Sequence, residues 1–199
     1  MSRLTLADVP DRATAAAGRP ALEREVIAAK RLRRLDVGPH MTLLFENRLT
    51  CLWQVLEMVR VEQITDPTAI QHELDTYNAL LPGPSELSAT LLIGVQDPDE
   101  RARLLAQLVG LHEHLSLTLG DQPPIAVRFD DEQYNTERIS SVQFLRVPLP
   151  PAARRALGEL SLPARLRCTH PAYTLDVPLP LTLRAVLLED LAAAGEEAP

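Results

Sequence analysis

Residues 38–62 contain the chain's most varied set of groups able to do chemistry, placed around one change of pattern. A strand-like run, MTLLFE (41–46), is followed by a helical pattern from Arg48 to Ile64. The polar residues around this corner are His40, Glu46, Asn47, Arg48, Gln54, Glu57, Arg60 and Glu62. A strand-to-helix corner of this kind can form a polar pocket, or it can present a docking face to a partner.

The helix after the corner has a polar side that allows two interpretations. Gln54, Glu57, Met58 and Val61 are spaced at i, i+3, i+4 and i+7, so they share a face opposite the stripe that contains Trp53. The functional interpretation is a pocket wall or a docking face. The alternative is a solvated helix surface on which Glu57 pairs with Arg60. Asn47 is predicted to cap the helix, and a carboxylate at Glu46 is favoured there by the helix dipole alone.

Metal and nucleophile patterns are sparse. His112 and His114 form an H-x-H pair. Two rings spaced in this way can converge on one metal ion if the segment is a strand, but they diverge if it is a helix. The pair lies at a predicted helix end, so its spacing does not decide between the two. The chain has no C-x-x-C, H-E-x-x-H or Walker motif, so we expect no metal and no cofactor. Cys51 and Cys168 fall in apolar segments and are interpreted as small buried side chains. Two isolated thiols fit a reducing cytoplasm.

Basic residues give a third functional pattern. Arg31 and Arg34 lie three apart in KRLRR (30–34) and so share one face of the predicted helix, and Arg138 precedes a predicted strand. These arginines are the anion-binding candidates, and Arg33 joins Arg31 and Arg34 in a hypothesis of RNA contact. The alternative is a helix C-terminus whose cations complement its dipole. The net charge of −7 argues against general nucleic-acid binding, which needs a basic surface.

The elements that position these groups predict an α+β fold, with a helix-rich N-terminal half packed on a mostly antiparallel sheet formed largely by the C-terminal half. The length of 199 residues predicts a single domain over 1–199. The hydrophobic period changes at 113–120, where a division into subdomains could fall. Residues 195–199 are predicted to form a frayed tail. Residues 1–20 are interpreted as a polar lead, broken by Pro10 and by Gly18 with Pro20. No apolar run has the length of a membrane span.

Helices are predicted at 21–35, 48–64, 67–80, 98–113, 151–160 and 181–193, and strands at 41–46, 86–95, 114–119, 125–129, 139–149, 164–170 and 173–179.

Several segments resemble a bacterial family known as domain of unknown function 3501. They include GPHMTLLFENR (38–48), ELSATL (86–91) and ISSVQFLRVPL (139–149), and the resemblance covers most of residues 1–150. It assigns no activity and no catalytic residue. It implies a bacterial, cytoplasmic protein associated with redox or peroxide metabolism. The two cysteines are too few for the four ligands of an iron–sulfur cluster.

Two functions remain open at this point. The leading hypothesis is a non-catalytic accessory protein that binds a protein or small ligand through the corner, with self-association left open. The alternative is a small enzyme at the same corner. In that enzyme Glu46 or Glu57 would be the general base or a metal ligand, His40 the proton donor, and Arg48 or Arg60 the anion-binding group.

Overall fold

The computed structural model of this protein describes residues 1–130 and 137–196. Its helices are α1 (Arg12–Leu32), α2 (Arg48–Val61), α3 (Pro67–Asn78), α4 (Pro98–Gln107), α5 (Pro151–Gly158) and α6 (Leu181–Glu196). Its strands are β1 (Arg34–Asp36), β2 (Met41–Phe45), β3 (Glu86–Ile93), β4 (Leu115–Leu119), β5 (Ile125–Ala126), β6 (Arg128–Phe129), β7 (Val142–Pro148), β8 (Ala164–His170) and β9 (Tyr173–Pro178).

The described strands form two antiparallel sheets, which confirms the α+β prediction. One sheet has the order β1-β2-β3-β7-β6 and the other has the order β5-β4-β8-β9. The strands are more evenly spread along the chain than expected, because β1, β2 and β3 supply three of the five strands in the first sheet. Strand β1 gave no sequence signal because it has only three residues and directly follows a helical pattern.

The predicted strand at 125–129 is shared between the two sheets. Ile125 and Ala126 pair with β4, whereas Arg128 and Phe129 pair with β7 in the other sheet. Between them, Val127 is 2% exposed and donates its backbone N–H to the carbonyl of Leu115. The chain therefore crosses from one sheet to the other at a buried residue, a change that a continuous alternating pattern does not reveal.

Two hydrophobic clusters hold these layers together. The larger cluster contains buried apolar residues from both sheets and from α4, α5 and α6. The smaller one is built around Leu4, Cys51, Val55 and Leu74, and so joins the N-terminal segment to α2 and α3. Phe144 of β7 packs against this smaller cluster, which places α2 and α3 beside the first sheet.

Helix α1 begins well before the predicted start. Asp11 caps it, because its carboxylate accepts hydrogen bonds from the backbone N–H groups of Ala13 and Thr14. The helix then continues through Pro20, which the sequence analysis treated as a break, so the predicted polar lead over 1–20 is wrong for its second half. The other end is also corrected, since the helix ends at Leu32 and Arg34 belongs to β1.

The predicted frayed tail is described only in part. Gly195 and Glu196 lie within α6, so the helix extends further than the predicted end at 193. Residues 197–199 lie outside the described residues.

Candidate functional site

The strand-to-helix corner is built by a cap that the sequence predicted. The Asn47 side-chain oxygen accepts from the backbone N–H of Thr50 at 3.0 Å, and the Thr50 hydroxyl accepts from the backbone N–H of Asn47 at 2.9 Å. These reciprocal bonds satisfy donors that a helix start leaves without partners. The cap fixes the angle between β2 and α2, and with it the position of Glu46.

Glu46 is buried, with 2% of its surface exposed. Its two carboxylate oxygens accept hydrogen bonds from hydroxyl groups, one from Thr50 at 2.5 Å and one from Thr90 at 2.6 Å. Hydroxyl bonds to a carboxylate are short and stronger than bonds between neutral groups. Glu46 therefore ties α2 to β3, and its hydrogen bonds account for its burial without a ligand.

A buried ion pair adjoins this cap. The Arg33 guanidinium donates from Nε and Nη2 to the two oxygens of Asp190, both at 2.9 Å, and Asn47 donates to the same carboxylate at 3.3 Å. Both charged residues are 8% exposed. Arg33 belongs to the basic cluster predicted as an RNA contact, and the structure corrects this because Asp190 of α6 holds Arg33 in the interior.

The sequence of the last helix already indicated that Asp190 is buried and needs a partner. Leu183, Leu187, Leu191 and Ala194 are buried on one side of α6, and Asp190 is buried beside them. A carboxylate on an apolar helix side needs a buried partner. That partner is 157 residues away in the chain, so its identity could not be deduced from spacing.

Glu57 lies between two arginines. The predicted pair with Arg60 is present, with bonds from Nε at 3.1 Å and Nη2 at 2.8 Å. Arg19 of α1 binds the same carboxylate at 2.9 Å and 3.2 Å, a partner that the sequence did not indicate. Hydrogen bonds from Arg60 and Arg19 lower the pKa of Glu57 to about 2. The Arg19 guanidinium also lies 5.1 Å from the centre of the Trp53 ring, so Trp53 and Glu57 share one face of α2. The prediction that Glu57 lies opposite the stripe containing Trp53 is therefore wrong.

The other residues of the corner do not gather around one point. Arg48 binds Asp8 at 2.6 Å, and this hydrogen bond is the main cause of the lowered pKa of Asp8. Gln54 is half-buried on α2, and Glu62 is exposed just beyond its end. His40 is exposed in the turn before β2, and its backbone N–H donates to the Tyr173 hydroxyl at 3.2 Å.

The spacing of these residues separates the groups that an enzyme would need together. His40 and Glu46 flank the extended strand β2, which sets their backbones about 20 Å apart. Glu46 and Glu57 lie near opposite ends of α2, about 16 Å apart along the helix axis. The structure therefore places the predicted proton donor and the two predicted general bases at three different places.

The anion-binding candidates are also dispersed. Arg31 is exposed on α1, and Arg138 is exposed shortly before β7. Arg34 lies in β1, where it binds Asp36 at 2.8 Å and Thr42 at 3.2 Å. The predicted shared helical face of Arg31 and Arg34 is wrong because α1 ends between them.

The two histidines of the H-x-H pair have different neighbours. His112 lies beside Phe129, with ring centres 6.4 Å apart, whereas His114 lies against His170 at 5.1 Å. Among residues 1–130 and 137–196, no group of three or more His, Cys, Asp or Glu side chains could hold a metal ion.

The two thiols are in the interior. Cys51 is fully buried, and Cys168 is 1% exposed. Burial raises the pKa of both thiols, and the nearby charge of Glu46 raises that of Cys51 further. Both are therefore protonated at neutral pH, which makes them poor nucleophiles.

No helix in the described part of the chain has the length and apolar character to cross a membrane.

Comparison with known proteins places this fold in a family. A search of curated proteins gives no match. A solved structure from Burkholderia pseudomallei K96243, described as a novel protein of unknown function, is 33% identical with a TM-score of 0.88. The similarity covers 95% of this chain and 99% of that one. The profile of the family described as protein of unknown function (DUF3501) matches residues 3–191. The chain therefore belongs to the DUF3501 family.

Proposed function

We propose that this protein is a non-catalytic accessory protein that binds an acidic segment of another protein through one face of α1 and α2. We call this surface the α1–α2 face and define it by Arg19, Trp53, Glu57, Arg60 and Val61. The observation that carries the proposal is the convergence of two guanidinium groups on the single carboxylate of Glu57.

The local charge indicates the kind of partner. Arg19 also binds Glu23 at 3.0 Å, so the two arginines are balanced by two glutamates. The group that this cluster presents most openly to solvent is nevertheless cationic, because the side chain of Arg60 is 53% exposed and that of Glu57 only 24%. Glu57 also holds both arginines in fixed orientations, so they lose less conformational freedom when a partner binds. A partner carboxylate can approach the remaining N–H groups of Arg60, whose Nη1 makes no bond to Glu57, and this favours an acidic segment.

Apolar groups on the same face would contribute contact area. Val61 is 61% exposed, and the half-buried Trp53 ring lies under Arg19. Tryptophan and arginine are the residue types that most often dominate the binding energy of protein interfaces. This combination of a charged pair and an exposed apolar residue is typical of a docking surface.

The enzyme alternative draws less support from the same residues. A general base works best when its pKa lies near the working pH. The pKa of Glu57, about 2, makes this carboxylate a very weak base at neutral pH. Glu46 has both oxygens engaged by threonine hydroxyls. The cytoplasmic location and the association with redox or peroxide metabolism stay predictions from cysteine usage and family resemblance.

The test is site-specific cross-linking in cells that express the protein. A photoreactive amino acid at Val61 should give one discrete adduct with another protein. The same amino acid at Leu181, which is exposed to a similar extent at 57%, is the matched control and should not give that adduct. The double variant Glu57→Ala, Arg60→Ala should abolish the adduct.

Three outcomes would contradict the proposal. They are the absence of an adduct at Val61, the same adduct from both positions, and an adduct that survives the double variant. An adduct of twice the chain mass would identify a second copy of this chain as the occupant and would also overturn the proposal of a different, acidic partner.

A further inference from the structure

A cleft of about 470 Å³ lies between α5, α6 and the turn that precedes β3. Its lining residues are Ser85, Leu149, Pro151, Arg154, Arg155 and Leu188. Volumes in this range are typical of sites for small molecules. The cleft is built from other elements than the α1–α2 face, so it is independent of the function proposed above.

Arg154 brings a positive charge to this cleft in a fixed position. Its Nη1 donates to the carbonyl of Pro84 at 3.0 Å, and its Nη2 donates to the carbonyl of Leu191 at 3.3 Å. Both acceptors are neutral, so these bonds orient the guanidinium without cancelling its charge. A guanidinium has five N–H groups, which leaves donors for a ligand.

Arg155 adds a second charge to the same cleft. It is exposed, and within the described part of the chain it has no ion pair. None of the described residues that line the cleft carries a carboxylate. A lining that holds two arginines and no carboxylate favours an anion, although the protein as a whole has a net charge of −7.

The remaining walls limit which anions fit. Leu149, Pro151 and Leu188 give the cleft an apolar side, and Ser85 adds one hydroxyl. An inorganic anion would use only the arginines and leave this apolar side in water. A ligand with an anionic head and a short hydrocarbon chain would use both parts.

A second cleft of about 270 Å³ provides a contrast. It is lined in part by Arg184, which is 1% exposed and donates to backbone carbonyls that include those of Leu157 and Leu162. All the bonds of this arginine are made within the protein, and the other cation of the lining, Arg165, is paired with Asp176. The comparison singles out the cleft at Arg154 and Arg155 as the one whose cations can reach a ligand.

We propose that the cleft at Arg154 and Arg155 binds a small amphipathic organic anion, with its carboxylate or phosphate head on the two arginines and its alkyl chain against Leu149, Pro151 and Leu188.

The experiment is calorimetric titration of the purified protein with hexanoate, hexyl phosphate and hexanol. We expect one molecule of an anion to bind per chain, and the tighter of the two anions identifies the head group. Hexanol, which has the same chain length without the charge, should bind at least about tenfold more weakly. Octanoate should bind more tightly than hexanoate, by up to about fifteenfold for two fully buried methylene groups.

The variant Arg155→Gln tests the assignment of the site. Because Arg155 is exposed, this variant should keep the urea midpoint of the wild type while losing about tenfold or more in affinity. Arg31→Gln is the matched control, since it removes another exposed arginine and should bind like the wild type. Absence of binding by both anions at millimolar concentration would overturn the proposal. So would equal affinity of the Arg155→Gln and Arg31→Gln variants, or equal binding of hexanol and hexanoate.

Discussion

The side chain of Arg184 donates five hydrogen bonds to the backbone, and all of its partners are carbonyls near the end of α5. Its guanidinium donates to Ala156, Leu157, Glu159 and Leu162 over distances of 2.7–3.2 Å. The last carbonyls of a helix have no partner within the helix and carry partial negative charge. A buried cation at this position satisfies them and fastens α6 to α5, although burial lowers the pKa of Arg184.

Replacing this cation should destabilise the protein strongly. The variant Arg184→Met keeps an apolar stem but leaves several buried carbonyls without donors, so we expect the free energy of unfolding to fall by about 3 kcal/mol or more. The measurement is urea unfolding followed by circular dichroism. Arg155→Met, on the exposed side of α5, is the control and should change stability by less than about 0.5 kcal/mol. Equal effects of the two variants would contradict the capping role of Arg184.

The ion pairs of Glu57 predict a pH dependence with a definite sign. Its pKa is lowered from 4.5 to about 2 in the folded protein, so the ionised form stabilises the fold. This contribution is fully present above pH 4.5 and is lost as the pH falls toward 2. Because the ion pairs of Glu57 are partly solvated, we expect them to contribute about 1 kcal/mol to the free energy of unfolding.

The variant Glu57→Gln isolates this contribution. The difference in unfolding free energy between wild type and variant should be constant above about pH 5 and shrink steadily in more acidic buffer. Urea titrations at a series of pH values measure that difference. A difference that is independent of pH down to about pH 3 would show that the two arginines do not stabilise the ionised carboxylate.

At the scale of secondary-structure elements, features that depend on neighbours in sequence could be predicted, whereas contacts between distant segments could not. The cap at Asn47, the presence of strand β2 and the pairing of β8 with β9 were all predictable because each depends on neighbours in sequence. At the corner, the pair of Glu57 with Arg60 was predictable for the same reason. Arg19, Thr90 and Asp190 were not, because they reach the corner only after distant segments pack together.

Helix α1 contains Gly18 and Pro20, two residues of types that predicted a break at this point. Proline lacks the N–H that a helix interior needs, and its ring crowds the carbonyl four residues earlier. Pro20 therefore predicted a boundary, yet α1 continues across it. The cap at Asp11 on one side and the bond from Arg19 to Glu57 on the other hold the first half of the helix in place.

Replacing this proline should stabilise the protein. Pro20 is exposed, so Pro20→Ala removes little packing and restores a backbone N–H that can bond to the carbonyl of Ala16. We expect a gain of about 1 kcal/mol or more in the free energy of unfolding, together with slower amide exchange in α1. Pro67→Ala is the matched control, because Pro67 occupies the first position of α3, where proline is favoured. The control should give no gain, and an equal gain from both variants would contradict this account of α1.

At the scale of the whole molecule, the two sheets are fastened at several separate points. The chain crosses between them at Val127, and the larger hydrophobic cluster draws on both. A third link joins β9 of the second sheet to the turn between β1 and β2 of the first. There the Tyr173 hydroxyl donates to the carbonyl of Val37 at 2.8 Å and accepts from the backbone N–H of His40. Gly38 lies within the same turn and has a φ of 78°.

This link predicts an energetic coupling between Gly38 and Tyr173 that a double-mutant cycle can measure. A Cβ on Gly38 would lie 2.5 Å from the Tyr173 hydroxyl oxygen, and the positive φ adds strain of its own. Gly38→Ala should therefore lower the free energy of unfolding by about 2 kcal/mol in the wild type. In the Tyr173→Phe background the shortest contact disappears, while the approach to the ring carbon at 3.1 Å and the backbone strain remain, so the loss should be smaller by about 1 kcal/mol. Additive effects would mean that the turn and β9 do not contact each other, because residues without shared contacts change stability independently of one another.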